Sequence, residues 1–505
     1  MEHAGQHPGA LTSRADLARP SRRAFLKVGL LTSVSVLLAT ACSSAPAPAK
    51  PAETKPAETK PTEAPKPAAP AAAASPAAAA PASSPAAGAS PAASPAASPA
   101  AAAPSSAPTG VTIATTKYKD VVLRQIGTGV SAINEIRDQA EKDLGFKINM
   151  RALSTDENNQ IAITQPKQYD IFDGEYFSLP LVIPSGNLQP IDAKKIKEFD
   201  KIAGTFTTGK LTPQSKIAQG TAPSKVMFLT AQDSTKFATE PTQWATLIPT
   251  QYNADTLGYR PDLVDGKIET WAELFNPKYK GKTSILDIPS IGIMDAAMVV
   301  ESAGLMKFGD KGDMTKDELD KVTGILIEQK KAGQFRAFWK TFDESVNLMS
   351  SGEVVLQSMW SPAVTAVKAK GLQCIYAPLK EGYRAWGGGL GLSKNLSGIE
   401  LDAAYEYINW WISGWAGGFI GRQGYYSSIP ENARKFMSPA EWDFWYEGKP
   451  AATDMVDPFG VKLEKAGAVR DGGSFLDRMG KVECWNSVMK EQAYLVRKWN
   501  EFIAS

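Results

Sequence analysis

Histidine is all but missing from this chain of 505 residues: it has two, His3 and His7, both close to its start. Everything beyond position 111 therefore lacks the side chain that most often moves protons at neutral pH. His-based acid–base catalysis, Ser-His-Asp triads and most zinc sites are excluded with it. Cysteine is almost as scarce, with Cys42, Cys374 and Cys484 alone. Cys374 and Cys484 could pair after export or stay as buried thiols, but two cysteines make no disulfide framework. There is no P-loop, no Gly-x-Ser-x-Gly and no Cys-x-x-Cys, so the common signatures of nucleotide, hydrolase and redox chemistry are wanting. An excess of one charge is lacking too. The chain has 55 basic and 53 acidic residues, and removing the nine and five that precede position 111 leaves 46 and 48. A near-neutral domain gives no electrostatic case for nucleic acid or for tight binding to a membrane surface.

What is present begins with an address. Ser21-Arg22-Arg23-Ala24-Phe25-Leu26-Lys27 precedes an apolar run from Val28 to Ala41, which ends in Ala39-Thr40-Ala41-Cys42. Charge, a short apolar core and small residues in that order describe a bacterial signal peptide over 1–41. The run is too short to span a ~30 Å hydrocarbon core comfortably as a permanent helix. The Arg pair resembles a twin-arginine export signal, which implies folding before translocation; a chance Arg-Arg in an ordinary signal is the competing reading. Cys42 after small residues resembles a lipobox, although Ala39 stands where lipoboxes usually have Leu. A lipid on Cys42 would hold the protein to the outer face of the cytoplasmic membrane, on the periplasmic side, without a membrane-spanning helix. A plain cleavage site is the alternative.

Residues 42–110 are dominated by Ala, Pro and Ser, with the repeat Pro51-Ala52-Glu53-Thr54-Lys55 and Pro56-Ala57-Glu58-Thr59-Lys60. Such a segment cannot bury enough apolar surface to offset its ordering entropy, and it reads as a disordered stalk.

The remainder, from 111 to 505, is long enough for two domains of ordinary size. Val121–Ile126 reads as a strand broken by Gly127-Thr128-Gly129. Ser131 then stands as N-cap of a helix with Ile133, Ile136, Ala140 and Leu144 on its apolar face and Gly145 at its end. Further strands follow at Lys147–Met150 and Tyr169–Phe172. Strands alternating with helices predict an α/β fold with mostly parallel sheets, whose ligands bind at the carboxyl ends of strands. Thr128 and Gly129 are therefore candidate ligand contacts.

The middle of the chain adds an ordered set of motifs. Trp271-Ala272-Glu273-Leu274-Phe275-Asn276-Pro277-Lys278-Tyr279-Lys280-Gly281-Lys282 precedes Ser284-Ile285-Leu286-Asp287. Trp339, Asn347–Val354, Met359-Trp360, Pro378–Gly382, Ala404–Trp411 and Gly424-Tyr425 follow in turn. This series resembles the bacterial extracellular solute-binding proteins of the spermidine/putrescine type, over roughly 121 to 437. The resemblance implies a periplasmic-binding-protein type II fold of two α/β lobes, each a mixed, mostly parallel sheet flanked by helices, with hinge crossings near Asp255 and Trp386. The expected division is 111–254 plus 386–432 for one lobe and 255–385 plus 433–505 for the other. It further implies a receptor, not an enzyme, with no cofactor or metal. Its partners would be a small solute and the permease subunits of an ABC importer, and it would act as a monomer.

The same resemblance places Tyr176, Tyr252, Trp360, Trp386 and Tyr425 where the family lines its cleft with rings, core packing being the competing reading for each. Acidic positions are mostly lost. Gly388 stands where polyamine binders have Asp, and Ile288 and Ile291 replace acidic neighbours of Asp287. Three ligand classes stay open. An organic amine, polyamine-like or simpler, could use Glu175 or Asp255 with the aromatic box. A small anion could use backbone N–H groups at Gly127–Ser131 and Gly387–Gly389. Ferric iron could use Tyr425-Tyr426. An exported enzyme and a structural surface module are the competing classes.

Overall fold

A computed structural model describes residues 117–505. The expected signal peptide, Cys42 and the stalk lie outside the described residues.

The first α/β unit follows the sequence pattern closely: β1 (Val122–Thr128), α1 (Asn134–Leu144), β2 (Lys147–Leu153), α2 (Thr155–Thr164) and β3 (Ile171–Glu175). Ile136, Ala140 and Leu144 bury one face of α1, and Gly145 ends it at φ 75°, a left-handed conformation that glycine adopts without a Cβ clash. Ser131 is not its N-cap. That place falls to Ile133, because the Ser131 hydroxyl is drawn to Asp173 instead.

A long strand, β4 (Ile248–Tyr259), leads to β5 (Thr283–Leu286), α3 (Pro289–Ser302), α4 (Lys316–Lys331), β6 (Phe335–Trp339), α5 (Phe342–Ser351), β7 (Leu356–Met359) and α6 (Ser361–Ala369). A second long strand, β8 (Tyr383–Ser393), returns to α7 (Gly398–Ile412) and β9 (Tyr426–Ser427). The chain ends with a hairpin, β10 (Met455–Val456) and β11 (Lys462–Glu464), then β12 (Val482–Trp485) and α8 (Gln492–Ala504).

The strand order β6-β5-β7-β4-β8-β3-β1-β2 runs through both lobes because β4 belongs to each. Its residues 248–255 pair antiparallel with β8, while Thr256–Tyr259 pair antiparallel with β7. Within the lobes the pairing is parallel: β1 with β2 and β3, and β5 with β6 and β7. All residues of β4 and β8 are buried, as expected of strands covered on both faces.

Two apolar cores flank this hinge. One gathers β1–β3 and α7 together with α5 and α6; the other gathers α3, α4 and α8. The segment 433–505, expected in the second lobe, contributes to both cores. Trp442, Phe444, Trp445, Tyr446 and Met479 join the first core, and it is Cys484, Leu495, Trp499 and Phe502 that join the second. Tyr446 and Phe475 of this segment meet Tyr426 of β9 and Tyr252 of β4, while its Glu464 and Asp471 hold Lys368 of α6 in the second lobe. Cys374 and Cys484 lie in different cores as free, buried thiols.

Candidate functional site

The register of the hinge strands builds one polar face. Arg384 pairs with Asp255, Trp386 with Asn253 and Gly388 with Gln251, so these six residues share a side of the sheet. Across the other edge of β8, Gly388 pairs with Glu175 of β3. Glu175 and Gln251 thus stand on either side of a residue with no side chain. A Cβ on Gly388 would sit 2.8 Å from Gln251 Nε2, so the amide takes the space a side chain would fill, and glycine lets amide and carboxylate border one trough.

Hydrogen bonding decides what that trough offers. From α7, Trp411 Nε1 donates to the Tyr407 hydroxyl, which donates to Gln125 Oε1; Gln125 Nε2 donates to Asp173 Oδ2. From the other side Gln251 Nε2 donates to Ser131 Oγ, which donates to the same Asp173 oxygen at 2.5 Å. The Gln251 amide is oriented by this chain, and its Oε1 is left buried without a partner. Asn158 of α2 is fixed likewise, since Nδ2 donates to the Asp173 carbonyl and Oδ1 is left over. Glu175 Oε2 is also buried and unpaired. Each of these three leftover atoms is an acceptor.

Burial pushes the Asp173 carboxyl up to about 7 against the hydrogen bonds from Ser131 and Gln125. Glu175 is pushed up to about 7 as well, first by burial and then by the neighbouring carboxylates; a hydrogen bond from Thr155 and the distant Arg384 oppose this. A carboxyl held there is poised to ionise when a cation arrives.

Aromatic walls complete the face. Trp386 is buried, yet alone among the buried tryptophans of the described residues it joins none of the apolar cores. Its ring meets Tyr425 edge-on at 5.9 Å. Trp360, half-buried at the start of α6, stands edge-on against Trp339 at 4.8 Å. Phe177 of the first lobe packs with Leu286, Ile291 and Trp339 of the second, so the lobes touch here.

The other sequence candidates fall elsewhere. Tyr176 and Tyr252 turn to the opposite face, in the first core. Tyr176 donates to the Leu247 carbonyl, and both rings pack on Phe206. Asp255 accepts from Ser361 N–H and lies 3.4 Å from Arg384, so its charge is already met inside the fold. Asp287 is engaged by Trp499 Nε1 and by Lys340. The Thr128 carbonyl takes the Ser131 and Ala132 N–H groups, and Gly129 is open to solvent. Gly387–Gly389 form ladder pairs with β3 and β4 instead of an anion-binding turn. Tyr425 and Tyr426 cannot chelate one ion together: the first ring meets Trp386 and the second meets Tyr252 on the far side.

Gln251, Asn158 and Asp173 were not singled out from the sequence. A signal for the first existed: Gln251, Asn253 and Asp255 alternate through an otherwise apolar strand, a polar stripe of period two. Asn158 and Asp173 carry no such mark.

Comparison with known proteins agrees with this architecture. A family model described as bacterial extracellular solute-binding protein matches residues 135–416. The spermidine/putrescine-binding periplasmic protein of Escherichia coli (strain K12) is 25% identical over 313 residues, covering 60% of this chain and 76% of its own; the Shigella flexneri protein of that name gives the same figures. The crystal structure of the spermidine/putrescine ABC transporter substrate-binding protein of Streptococcus pneumoniae superposes with a TM-score of 0.51 at 15% identity. It covers 76% of this chain and 98% of that one, which is the type II periplasmic-binding-protein fold. With the family match spanning more than half its length, the chain belongs to the bacterial extracellular solute-binding proteins, receptors rather than enzymes.

Proposed function

We propose that this substrate-binding protein captures a small organic amine between its lobes and hands it to the permease of an ABC importer, while a lipid on Cys42 and the stalk keep it near the membrane. One observation supports the amine above the other ligand classes: the unmatched atoms lining the trough, Glu175 Oε2, Gln251 Oε1 and Asn158 Oδ1, are acceptors. A buried acceptor without a donor costs about 1–3 kcal/mol, which an ammonium group recovers by donating to it. An anion would meet the same oxygens with repulsion, and the Ser131 N–H and the Gly387–Gly389 segment are engaged within the fold. Trp386 and Tyr425 supply ring faces and edges for the carbon stem, and a cation near a ring face gains roughly 0.5–2 kcal/mol. With Asp173 engaged by Ser131 and Gln125 and Asp255 paired with Arg384, Glu175 is the carboxylate left for a ligand, and one carboxylate fits one ammonium better than the several of a polyamine. The receptor would then prefer monoamines or amino compounds with one exposed ammonium.

Calorimetric titration with butylamine, putrescine, spermidine and matched organic acids tests this. Saturable binding of the amines, with the monoamine no weaker than spermidine, is the expected result. Binding of an acid with no amine response would overturn it.

A further inference from the structure

The two faces of the hinge strands are opposite in what they leave unmatched. Behind the trough, on the side of Tyr252, the leftover groups are donors. The hydroxyls of Tyr252, Tyr383 and Tyr426, the Nε–H of Arg470 and Arg478, and Trp445 Nε1 are buried with no partner among the described residues. The side chains form two neighbouring groups, close enough for Arg470, Arg478 and Tyr426 to act on one another electrostatically. Tyr252 and Tyr426 are cross-strand neighbours with ring centroids 6.2 Å apart. Arg470 stacks over Tyr426 and Trp445 at 5.3 and 4.6 Å. Arg478 stacks over Tyr376 at 3.8 Å, and that ring lies 5.3 Å from Tyr383.

Both guanidiniums are almost fully buried, Arg470 at 5% and Arg478 at 3% exposed, and neither reaches a carboxylate among the described residues. Arg470 donates to the Trp445 carbonyl; Arg478 donates to the Asp471 carbonyl and the Ser361 hydroxyl. The carboxylates of the same stretch are engaged elsewhere. Glu464 and Asp471 each hold Lys368 at 2.8 Å, and Asp477 caps its own helix at Ser474. Asp255, the nearest carboxylate of β4, faces Arg384. Burial without a partner pulls Arg470 down to about 10, the mark of a cation lacking its counter-charge.

We propose that a small monovalent anion, of halide or carboxylate size, resides among these groups behind the hinge, held by the tyrosine hydroxyls and by Arg470 and Arg478. It would be a structural ligand, distinct from the transported solute and on the other face of the sheet. It joins β4 and β8 to the 437–479 segment, which packs on them from behind. Hydroxyls and Nε–H groups left without acceptors are met by an anion with charge-assisted hydrogen bonds, and the same anion gives Arg470 its missing charge.

Protein prepared free of halide is to be unfolded thermally in sodium gluconate and in sodium chloride, bromide, nitrate or acetate at equal ionic strength. A saturable rise in Tm with one of the small anions, absent in gluconate, is expected. Crystals grown in sodium bromide should show an anomalous peak beside Tyr426 Oη; a peak with acetate alone stabilising is not expected, and density for carboxylate there would assign that class. Y426F, which removes a hydroxyl and nothing else, should lower the apparent affinity roughly tenfold, and R470M should abolish the saturable response. Equal melting in all salts, with ordered water and no bromide beside Tyr426, would overturn the proposal. So would an anion response unchanged in Y426F, and that variant keeps the test valid if R470M does not fold.

Discussion

Arg384 Nε donates to Asp295 Oδ1 at 2.6 Å, with both side chains fully buried where the second hinge strand meets α3. This pair ties β8 to the second lobe, and Asp255 lies on the other side of the same guanidinium at 3.4 Å. Two carboxylates sharing one cation make the cluster dependent on Arg384.

Removing that cation should therefore be costly. Arg384→Met leaves Asp255 and Asp295 buried and unmatched, and a loss of about 3–5 kcal/mol is expected on urea denaturation at neutral pH. Burial already raises both carboxyls, with Arg384 opposing. Without it their folded-state values climb further. The folded form then prefers them protonated, so their contribution is fully present in acid and is lost as pH rises from the unfolded value of about 4 through the raised folded values. A variant no more pH-sensitive than the parent would rule this account out.

Glu175 should govern affinity. In Glu175→Gln, amine binding is expected to weaken by about 2–3 kcal/mol, roughly thirty-fold or more. The pH profile separates this from a structural effect. With its carboxyl pushed up to about 7, parent affinity should fall as pH drops from 8 to 6, while an amine stays protonated throughout. The Gln variant should lose most of that slope, and what remains belongs to Asp173, whose carboxyl is also pushed up to about 7. Titration at several pH values checks both points.

The tryptophans should divide. Trp386→Ala should cost about 1–3 kcal/mol of binding with little loss of fold, because that ring belongs to none of the cores. Trp339→Ala, from a fully buried ring bonded to the Ser358 carbonyl, should cost about 3–5 kcal/mol of stability. Denaturation and titration of both proteins give the comparison. If Trp386→Ala loses stability and keeps affinity, the aromatic wall has been misplaced.

Gly388→Asp should alter preference rather than abolish binding. The new carboxylate would enter the trough between Glu175 and Gln251, with the flexible Gln251 amide yielding. Affinity for putrescine relative to butylamine should rise by roughly tenfold, about the effect of one additional charge-assisted hydrogen bond. Competition between the two amines reads the ratio directly.

Anchoring has its own test. Cys42→Ala should release the protein from membranes with the folded domain unaltered. Lys in place of Arg22 and Arg23 should block export and leave folded precursor in the cytoplasm. Export of the double-Lys protein by the ordinary route would reject the twin-arginine reading.

The sequence by itself determined the class of this protein. The absence of histidine beyond His7 removed most enzymatic chemistry, and the ordered motifs from Trp271 to Tyr425 identified a two-lobed solute receptor. Those features are legible because they are local: a strand, a capped helix or a motif is written in consecutive residues. The site was legible only in part. Trp386, Gly388 and Glu175 do meet on one face, but that face exists because β3, β8 and β4 lie in a particular register. A step of one residue sends Tyr252 and Tyr426 to the back of the sheet and leaves Gln251 and Tyr425 at the front. Which carboxylates were free was also beyond the sequence. Asp255 and Glu175 are equally acidic on paper and each keeps a buried oxygen without a hydrogen bond among the described residues; it took the tertiary structure to bring Arg384 within 3.4 Å of the first. Charge pairing across a hinge depends on distances of a few ångströms between segments more than a hundred residues apart, and spacing along the chain does not encode them.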